Sequence, residues 1–349
     1  MELAALIHQY LPAFEQRYAQ ALLPSHRHAI NALLRCRTPA AGAHTLQCRE
    51  CAEPMTKPQS CGHRSCPKCH HHDANQWLDR QRAKLIPVDY FMVTFTLPQQ
   101  LRALAWQHQS CVYNRLFDTA TRTLKDFALN PRFLGADIGM TAVLHTHTRT
   151  RDFHPHLHVI VPGGGIQQAR RQWIKVKNPY LFNAQALANV FRARFLTALN
   201  DDGFHLPNAL PHQWIVNIKH VGRGEPALKY LAAYLYHGVL SEKNIIANHH
   251  GNVTFQYLES RTAITRTRTL PGAEFLWLIL QHVLPKGFRR VRDYGFLHGN
   301  AKTRLTLVQW VLRVVIAARK PRSRPHFTYP KCQAPMRILA FMKPAWRPG

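Results

Sequence analysis

The chain has 349 residues, enough for two or three domains, and 46% of its residues are hydrophobic, which predicts a globular protein. Lysine and arginine number 46 against 18 acidic residues, giving a formal net charge of +28 and a pI near 10.4. A metabolic enzyme does not need this excess, whereas a polyanion such as nucleic acid attracts it. The sequence contains no apolar run of 18 or more residues and no signal-peptide pattern. We therefore expect no membrane partner, no small-molecule substrate, and a cytoplasmic, nucleoid-associated location in a bacterium.

The N-terminal part begins as helix and then becomes rich in cysteine. Residues 1–35 have helical apolar spacing, and 36–72 are rich in cysteine and histidine without periodic structure. A further helix is predicted from Trp77 to Leu85. Five cysteines lie between Cys48 and Cys69, and such clusters in a reducing compartment bind metal more often than they form disulfides.

The cysteine spacing is typical of a zinc ribbon, with two C-x2-C pairs separated by fourteen residues. Thiolates at this spacing close a tetrahedron and fold a segment too small to have its own core. We therefore predict one structural Zn²⁺ bound by Cys48, Cys51, Cys66 and Cys69. Cys36 and Cys61 are left over, and they leave a second zinc site open.

The C-terminal end contains a fragment of a similar pattern. In "FTYPKCQAPM", Tyr329 occupies the position where a cysteine would be expected before Cys332. One cysteine alone cannot hold zinc, so we interpret this end as a degenerate ribbon or a DNA-binding tail.

The middle of the chain alternates strands and helices in the order β-α-β-β-α-β-α. The predicted elements lie at 89–97, 99–128, 138–147, 154–162, 184–199, 212–220 and 225–238. Three glycines, 163–165, are expected to break the third strand. This order predicts an α+β fold, an antiparallel sheet with helices on one face, preceded by a small zinc-ribbon-like domain and followed by a basic C-terminal region.

Three segments follow from this organisation. Residues 1–85 are predicted to be a helical, zinc-binding and DNA-binding domain, 86–245 the sheet domain, and 246–349 a basic DNA-binding region. The last segment is expected to contain one hairpin (253–257 with 261–269) and two helices, at 272–284 and 303–319.

Histidines concentrate where two of the strands meet, with five in the fourteen residues from His145 to His158. Side chains alternate along a strand, so His154, His156 and His158 share one face and the intervening apolar residues face the core. Two imidazoles on one face of an anchored strand make a preformed metal site. The preceding strand offers a third ligand from His145 or His147.

The helix predicted at 225–238 carries two tyrosines four residues apart. At about 100° per residue, Tyr230 and Tyr234 share a face, away from the stripe formed by Leu228, Leu231 and Leu235. Tyr236 points away from both. The leucines are expected to bury the helix, which leaves the tyrosine pair for another role.

Together these motifs resemble the HUH nucleases, and within them the two-tyrosine rolling-circle insertion-sequence transposases of the IS91 type. The resemblance rests on the cysteine module, "HPHLHVIVPGGG", "KYLAAYLYHGVLSEKN" and "LPKGFRRVRDYG", and it covers nearly the whole chain. It implies that residues 86–245 are a nuclease and transferase domain with a tyrosine helix.

The resemblance also implies roles for residues. His156 and His158 would hold a catalytic Mg²⁺ or Mn²⁺, with His145 as the third ligand and His147 and His154 as alternatives. Tyr230 and Tyr234 would be the nucleophiles. DNA, single-stranded or in a hairpin, is the expected partner, and a homo-oligomer is left open. The residues expected to contact DNA are Lys219, Arg223, Lys286, Arg289 and Arg290.

Three functions are compatible with these residues. The first is a DNA transposase that nicks and transfers single strands through a 5′-phosphotyrosine intermediate. The second is a relaxase or replication initiator with the same chemistry. The third is a non-catalytic zinc-dependent DNA-binding repressor on the same fold. The presence of both tyrosines and the histidine pair favours the first.

Overall fold

A computed structural model describes residues 1–69, 71–176, 181–235, 239–259, 262, 264–315 and 326–343, with backbone only at 71 and 233–235. The helices in these ranges are α1 (Leu3–Tyr18), α2 (Pro24–Arg35), α3 (His71–Arg82), α4 (Arg102–Gln107), α5 (Gln109–Leu129), α6 (Ala184–Asp201), α7 (Glu225–Leu235), α8 (Gly272–Leu280) and α9 (Lys302–Val311). The strands are β1 (Ala43–Cys48), β2 (Pro54–Pro58), β3 (Tyr90–Thr96), β4 (Met140–His147), β5 (Phe153–Pro162), β6 (Gly164–Gln167), β7 (Gln172–Lys175), β8 (Val216–His220), β9 (Ile245–His249), β10 (Asn252–Leu258), β11 (Thr265–Pro271), β12 (Val291–Tyr294) and β13 (Met336–Met342). Within these ranges, no helix is long and apolar enough to cross a membrane.

The largest sheet has five strands in the order β12-β4-β5-β3-β8, and each neighbouring pair is antiparallel. The predicted hairpin between the second and third strands is confirmed as β4–β5. Alternate side chains such as Phe95, Leu157 and Val159 are fully buried against α5 and α6. The α+β fold with an antiparallel sheet is therefore confirmed, and its strands form because β-branched and aromatic residues fit a pleated, half-buried surface.

The opposite face of this sheet is covered in part by two other helices. Val143 and Ile160 pack there against Leu228 and Leu231 of α7, and Trp77 of α3 belongs to the same buried cluster. The prediction placed helices on one face, and the structure adds this second layer. Since the strand histidines also point to this face, α7 lies beside them.

The three glycines break the third strand as predicted, since β5 ends at Pro162, but the last two also start another strand. β6 begins at Gly164 and pairs with β7 in a small hairpin that the sequence reading missed. A Cβ on Gly165 would lie 2.6 Å from the carbonyl oxygen of Asp137, and one on Gly164 would lie 2.5 Å from that of Ile174. Glycine is required here because two backbone segments approach closely, not because the chain must turn.

Several predicted helices are shorter or broken. The helix expected at 99–128 is divided at His108 into α4 and α5. The helix expected at 272–284 ends at Leu280, and the one expected at 303–319 ends at Val311 in the described residues. Residues 236–238 and 316–319, which the predicted helices at 225–238 and 303–319 also covered, lie outside the described residues.

Strands and helices distant in sequence combine across the predicted segment boundaries. β12, from the C-terminal segment, is an edge strand of the five-stranded sheet, and β13 pairs with β1. α1 and α2 share a buried core with α8 and the three-stranded sheet β11-β10-β9. The three-segment division stays a prediction, but the sheet and the ribbon each include strands from two of its segments.

Candidate active site and zinc-binding clusters

Three histidines from β4 and β5 meet on one face of the sheet. His145 pairs with His156 across the strands, and His158 lies two residues further along β5. The ligand nitrogens of the three side chains all lie within 4.8 Å of one another. The rings of His145 and His158 are 4.4 Å apart between centroids. Strand alternation and the antiparallel register together produce this cluster.

Hydrogen bonds orient two of these rings. The Nδ1 of His156 donates to the carbonyl oxygen of His154 at 2.7 Å, and the Nδ1 of His158 lies 2.9 Å from the hydroxyl of Thr94. The first bond leaves Nε2 of His156 available to a metal, and the second leaves Nε2 of His158 available in the tautomer whose Nδ1 donates to Thr94. A hydrogen bond from the other ring nitrogen is usual for a histidine that binds metal. Thr94 on β3 carried no signal in the sequence, because only the β3–β5 pairing brings it to His158.

The environment favours the neutral form of the three imidazoles. Burial lowers the pKa of His145 well below its ordinary value, and it also lowers the pKa of His156. Burial lowers the pKa of His158 to about 3. A neutral imidazole has a free electron pair, so this donor set fits a divalent cation.

The two alternative histidines make other contacts. The ring of His147 lies 5.2 Å from that of His282. The Nδ1 of His154 lies 2.7 Å from a guanidinium nitrogen of Arg102. The structure therefore brings His145 to the pair, as the resemblance implied, and neither alternative belongs to the group whose ligand nitrogens all lie within 4.8 Å of one another. The metal-binding role of the three histidines remains a prediction.

Tyr230 lies beside this cluster. Its ring centroid is 6.1 Å from that of His158 and 6.2 Å from that of His145. Leu228 and Leu231 bury the opposite side of α7 in the core, as the helical phase predicted. The side chain of Tyr234 and all of Tyr236 lie outside the described residues.

An ion pair missed by the sequence reading holds α7 in place. Arg82 at the end of α3 donates through Nε to the carboxylate of Glu225, in the first turn of α7, at 2.9 Å and 3.2 Å. This contact lowers the pKa of Glu225 and raises that of Arg82. A carboxylate in the first turn is also favourable to the helix dipole. The pair therefore fixes the helix that carries Tyr230.

A basic groove opens beside β12. The cavity measures about 1350 Å³. Its cationic lining residues are Arg64, Arg80, Lys84, Arg289, Arg290, Arg292 and Lys302. Arg290 links the groove to the histidine strand, because its Nε donates to the carbonyl oxygen of Leu144 at 3.1 Å and desolvation lowers its pKa to about 10. Excess positive charge in a cleft suits an extended polyanion.

The other cations predicted to contact DNA lie elsewhere. Lys219 is on β8, at the opposite edge of the sheet from β12, and Arg223 follows it, bonding the carbonyl oxygen of Pro87. Lys286 lines a separate cavity of about 910 Å³. The structure thus gathers only Arg289 and Arg290 of the predicted set in the basic groove.

The cysteines form two separate clusters. One contains Cys36, Cys61, Cys66 and Cys69, and the other contains Cys48, Cys51 and Cys332. In the first, sulfur–sulfur distances of 3.5–3.7 Å match the roughly 3.8 Å edge of a tetrahedron around zinc with Zn–S bonds of about 2.3 Å. The four residues therefore fit one structural zinc ion.

The single site predicted from the two C-x2-C pairs is wrong in its grouping. Cys66 and Cys69 join the two residues that had been left over, Cys36 and Cys61, and the pair Cys48 and Cys51 lies with Cys332. The cause is the β1–β2 hairpin, which directs the turn after Cys48 toward the C-terminal strand β13 rather than toward the second pair. The prediction that Cys332 stands alone is also wrong, because the pairing of β13 with β1 brings it to Cys48 and Cys51.

On one face of the antiparallel sheet, three clustered histidines therefore lie beside a helix that carries a tyrosine. Comparison with known proteins gives the family. Residues 139–304 match a family described as "Putative transposase", and residues 6–97 match the transposase zinc-binding domain of the IS91 type. The chain belongs to this family of insertion-sequence transposases.

Curated relatives agree with this assignment. The chain is 34% identical over 331 residues to "Putative transposase y4qJ" of Sinorhizobium fredii, covering 88% of this chain and 83% of the relative. It is 28% identical over 292 residues to the transposase for insertion sequence element IS801 of Pseudomonas savastanoi pv. phaseolicola, covering 77% and 69%. Among solved structures, it is similar to the metal-bound conjugative relaxase TrwC in complex with OriT DNA, at 18% identity and a TM-score of 0.30, covering 42% of this chain and 53% of that chain.

Proposed function

We propose that this transposase is a metal-dependent single-strand DNA endonuclease and strand transferase that acts through a 5′-phosphotyrosine intermediate in rolling-circle transposition. The observation that carries the proposal is the position of Tyr230, whose ring lies 6.1 Å from the ring of His158 in a cluster of three neutral imidazoles. A nucleophile and a set of metal ligands on the same face of a rigid sheet can act on the same phosphodiester bond.

The histidines supply the metal site of this proposal. His145, His156 and His158 would hold Mg²⁺ or Mn²⁺, which when bound supplies Lewis-acid stabilisation of charge on a non-bridging phosphate oxygen. The chain contributes a fixed, buried set of ligands. Arg290 places a cation next to His145, where it can contact the same phosphate from the basic groove.

The tyrosine supplies the nucleophile. The phenol of Tyr230 loses its proton and its oxygen attacks phosphorus, while the bond from phosphorus to the 3′ oxygen breaks and that oxygen takes up a proton. The products are a 5′-phosphotyrosine and a free 3′-OH, so the phosphoester bond is kept for rejoining. A phenol with a pKa near 10 serves as both nucleophile and leaving group more readily than an alcohol.

The second tyrosine extends cleavage to strand transfer. By sequence, Tyr234 lies one helical turn after Tyr230 on the same face. Two nucleophiles allow one strand to be held while a second is cut, as exchange between donor and target requires.

The charge of the molecule supports DNA as the substrate class. A net charge of +28 and a groove with seven cationic lining residues suit the phosphates of a DNA strand. The proposed substrates are single strands or hairpins at the element ends and at the target, bound in the bacterial nucleoid. The zinc-binding clusters would position the basic N-terminal surface on this DNA.

The decisive experiment is capture of the covalent intermediate. Incubation with Mn²⁺ and a single-stranded oligonucleotide from an element end is expected to give a protein–DNA adduct that survives boiling in detergent and maps to Tyr230 or Tyr234. Tyr230→Phe with Tyr234→Phe should abolish the adduct but retain DNA binding. Tyr257→Phe, in the separate core of α1, α8 and β10, is the matched control.

Other outcomes discriminate among the alternatives. An adduct that persists in the double variant contradicts the nucleophile assignment. Binding without any adduct or cleavage would favour a repressor. Cleavage and rejoining at an origin sequence, without transfer between element ends, would favour a relaxase or replication initiator.

A further inference from the structure

The first and last parts of the chain form one ribbon. β1 pairs on one side with β2 and on the other with β13, with Cys48 opposite Met336. The turn after β1 carries Cys51, and the turn before β13 carries Cys332. The backbone N–H of Arg49 donates to the carbonyl oxygen of Pro335 at 3.1 Å, which holds the two turns together.

Both turns have the local form of a metal-binding knuckle. In the first, the N–H of Cys48 donates to the carbonyl oxygen of Glu53 at 2.9 Å, which closes the turn that carries Cys51. The second turn is closed by a bond from the N–H of Tyr329 to the carbonyl oxygen of Ala334 at 2.9 Å.

The distances among the sulfurs fit coordination of one ion. Cys332 Sγ lies 3.4 Å from Cys48 Sγ and 3.8 Å from Cys51 Sγ. These values lie close to the roughly 3.8 Å edge of a zinc–thiolate tetrahedron and far from the roughly 2.05 Å of a disulfide. They also match the distances in the four-cysteine cluster.

We propose that Cys48, Cys51 and Cys332 bind a second zinc ion, separate from the one in the Cys36, Cys61, Cys66 and Cys69 cluster, and that this ion ties the C-terminal strand to the N-terminal ribbon. Three thiolates occupy three corners of the tetrahedron. Tyr329 stands where a fourth cysteine would lie in a two-knuckle ribbon, so the fourth corner belongs to a ligand that is not a thiolate.

The site has a structural consequence. Cys48 and Cys332 are 284 residues apart in sequence, so the ion closes a loop that includes the whole sheet domain. Cys51 and Cys332 are exposed, whereas Cys66 and Cys69 are buried. We therefore expect a chelator to remove the second zinc before the first, releasing β13 while the sheet domain stays folded.

The test is zinc stoichiometry on the full chain, purified with zinc and freed of loose metal, by native mass spectrometry. The wild type is expected to hold two zinc ions and Cys332→Ala one. Cys111→Ala, whose thiol bonds Asp202 away from both clusters, is the matched control and should hold two. One zinc in the wild type, or two in Cys332→Ala, would overturn the proposal.

Thiol alkylation of the wild-type protein gives a second measurement that does not depend on the variant folding. Although Cys51 and Cys332 are exposed, both should resist alkylation in the zinc-loaded protein and react after a brief chelator treatment that leaves one zinc bound. Immediate reaction of both thiols in protein containing two zinc ions would place the second ion elsewhere. Neither measurement depends on DNA cleavage, so the proposed function can fail without affecting this result.

Discussion

The histidine cluster and the cysteine clusters are assembled in different ways. His145, His156 and His158 come from one hairpin, and their positions follow from strand alternation and register. The clustered cysteines come from turns and from the ends of secondary-structure elements, and one cluster joins residues 284 positions apart. The three imidazoles lie on a rigid sheet, and a metal bound to them would keep open coordination positions, as the proposed reaction requires, whereas four thiolates would close the coordination of zinc. We therefore expect the histidine cluster to serve the reaction and the cysteine clusters to stabilise the structure.

Removal of one thiolate from the four-cysteine cluster is expected to have the largest effect on the protein. Cys69→Ser is expected to release zinc and unfold the N-terminal module, since zinc contributes on the order of 10 kcal/mol to such modules. Thermal unfolding and metal analysis would check this. Cys111→Ser, outside the clusters, is the control. A zinc-free Cys69→Ser protein with unchanged thermal unfolding would show that the cluster has no structural role.

The histidine cluster should behave in the opposite way. His156→Ala with His158→Ala is expected to lower the nicking rate by a thousandfold or more, since a Lewis-acid metal contributes several kcal/mol and about 1.4 kcal/mol is tenfold. DNA binding should change only a few-fold, because lysine and arginine contacts to phosphate carry affinity. EDTA should mimic the loss, and Mg²⁺ or Mn²⁺ should restore activity to the wild type.

The control for this experiment lies on the same strand. His154→Ala, at the residue that contacts Arg102, should keep most of the activity. If His154→Ala lost as much nicking activity as the double variant, the three-histidine cluster would be no more important to the reaction than the neighbouring His154.

The position of α7 is expected to affect the reaction rate less than the histidine cluster does. Arg82→Ala is expected to lower the rate of adduct formation by about tenfold to a hundredfold, because a shift of about 1 Å in the nucleophile has that cost. Single-turnover rates at saturating DNA would measure this, with metal affinity unchanged. Arg27→Ala, which removes an exposed ion pair with Glu15, is the control. An unaltered rate in Arg82→Ala would mean that packing alone positions the helix.

Acid should weaken the N-terminal region by a small amount that can be assigned to one residue. His26 is buried, its Nδ1 accepts a hydrogen bond from the N–H of Leu23, and desolvation lowers its pKa to about 4. The folded state therefore binds fewer protons than the unfolded state below the ordinary pKa of 6.5, and stability falls as the pH drops from about 6.5 toward 4.

The expected loss from this residue is about 2 kcal/mol between pH 7 and pH 5. Urea unfolding at both pH values would measure it. His26→Gln keeps an acceptor but does not titrate, so it should lose less stability than the wild type over this range. The same loss in both proteins would assign the acid sensitivity to other buried histidines.

Local patterns determined much of the molecule. The alternation of His154, His156 and His158 with apolar residues was sufficient to assign faces to β5, and the phase of α7 was sufficient to separate Tyr230 from its leucines. These predictions hold because period two and period 3.6 are properties of the backbone itself.

Only the tertiary structure decided which distant residues meet. The tertiary structure groups His145, and neither His147 nor His154, with His156 and His158. His147 and His154 instead contact His282 and Arg102, which come from other elements. The cysteine partners depended on β13 returning to β1 across the chain. Sequence spacing records only local distance, so two equally good C-x2-C pairs suggested one site. Because strands from both ends of the chain pair with each other, the two C-x2-C pairs lie in two different cysteine clusters.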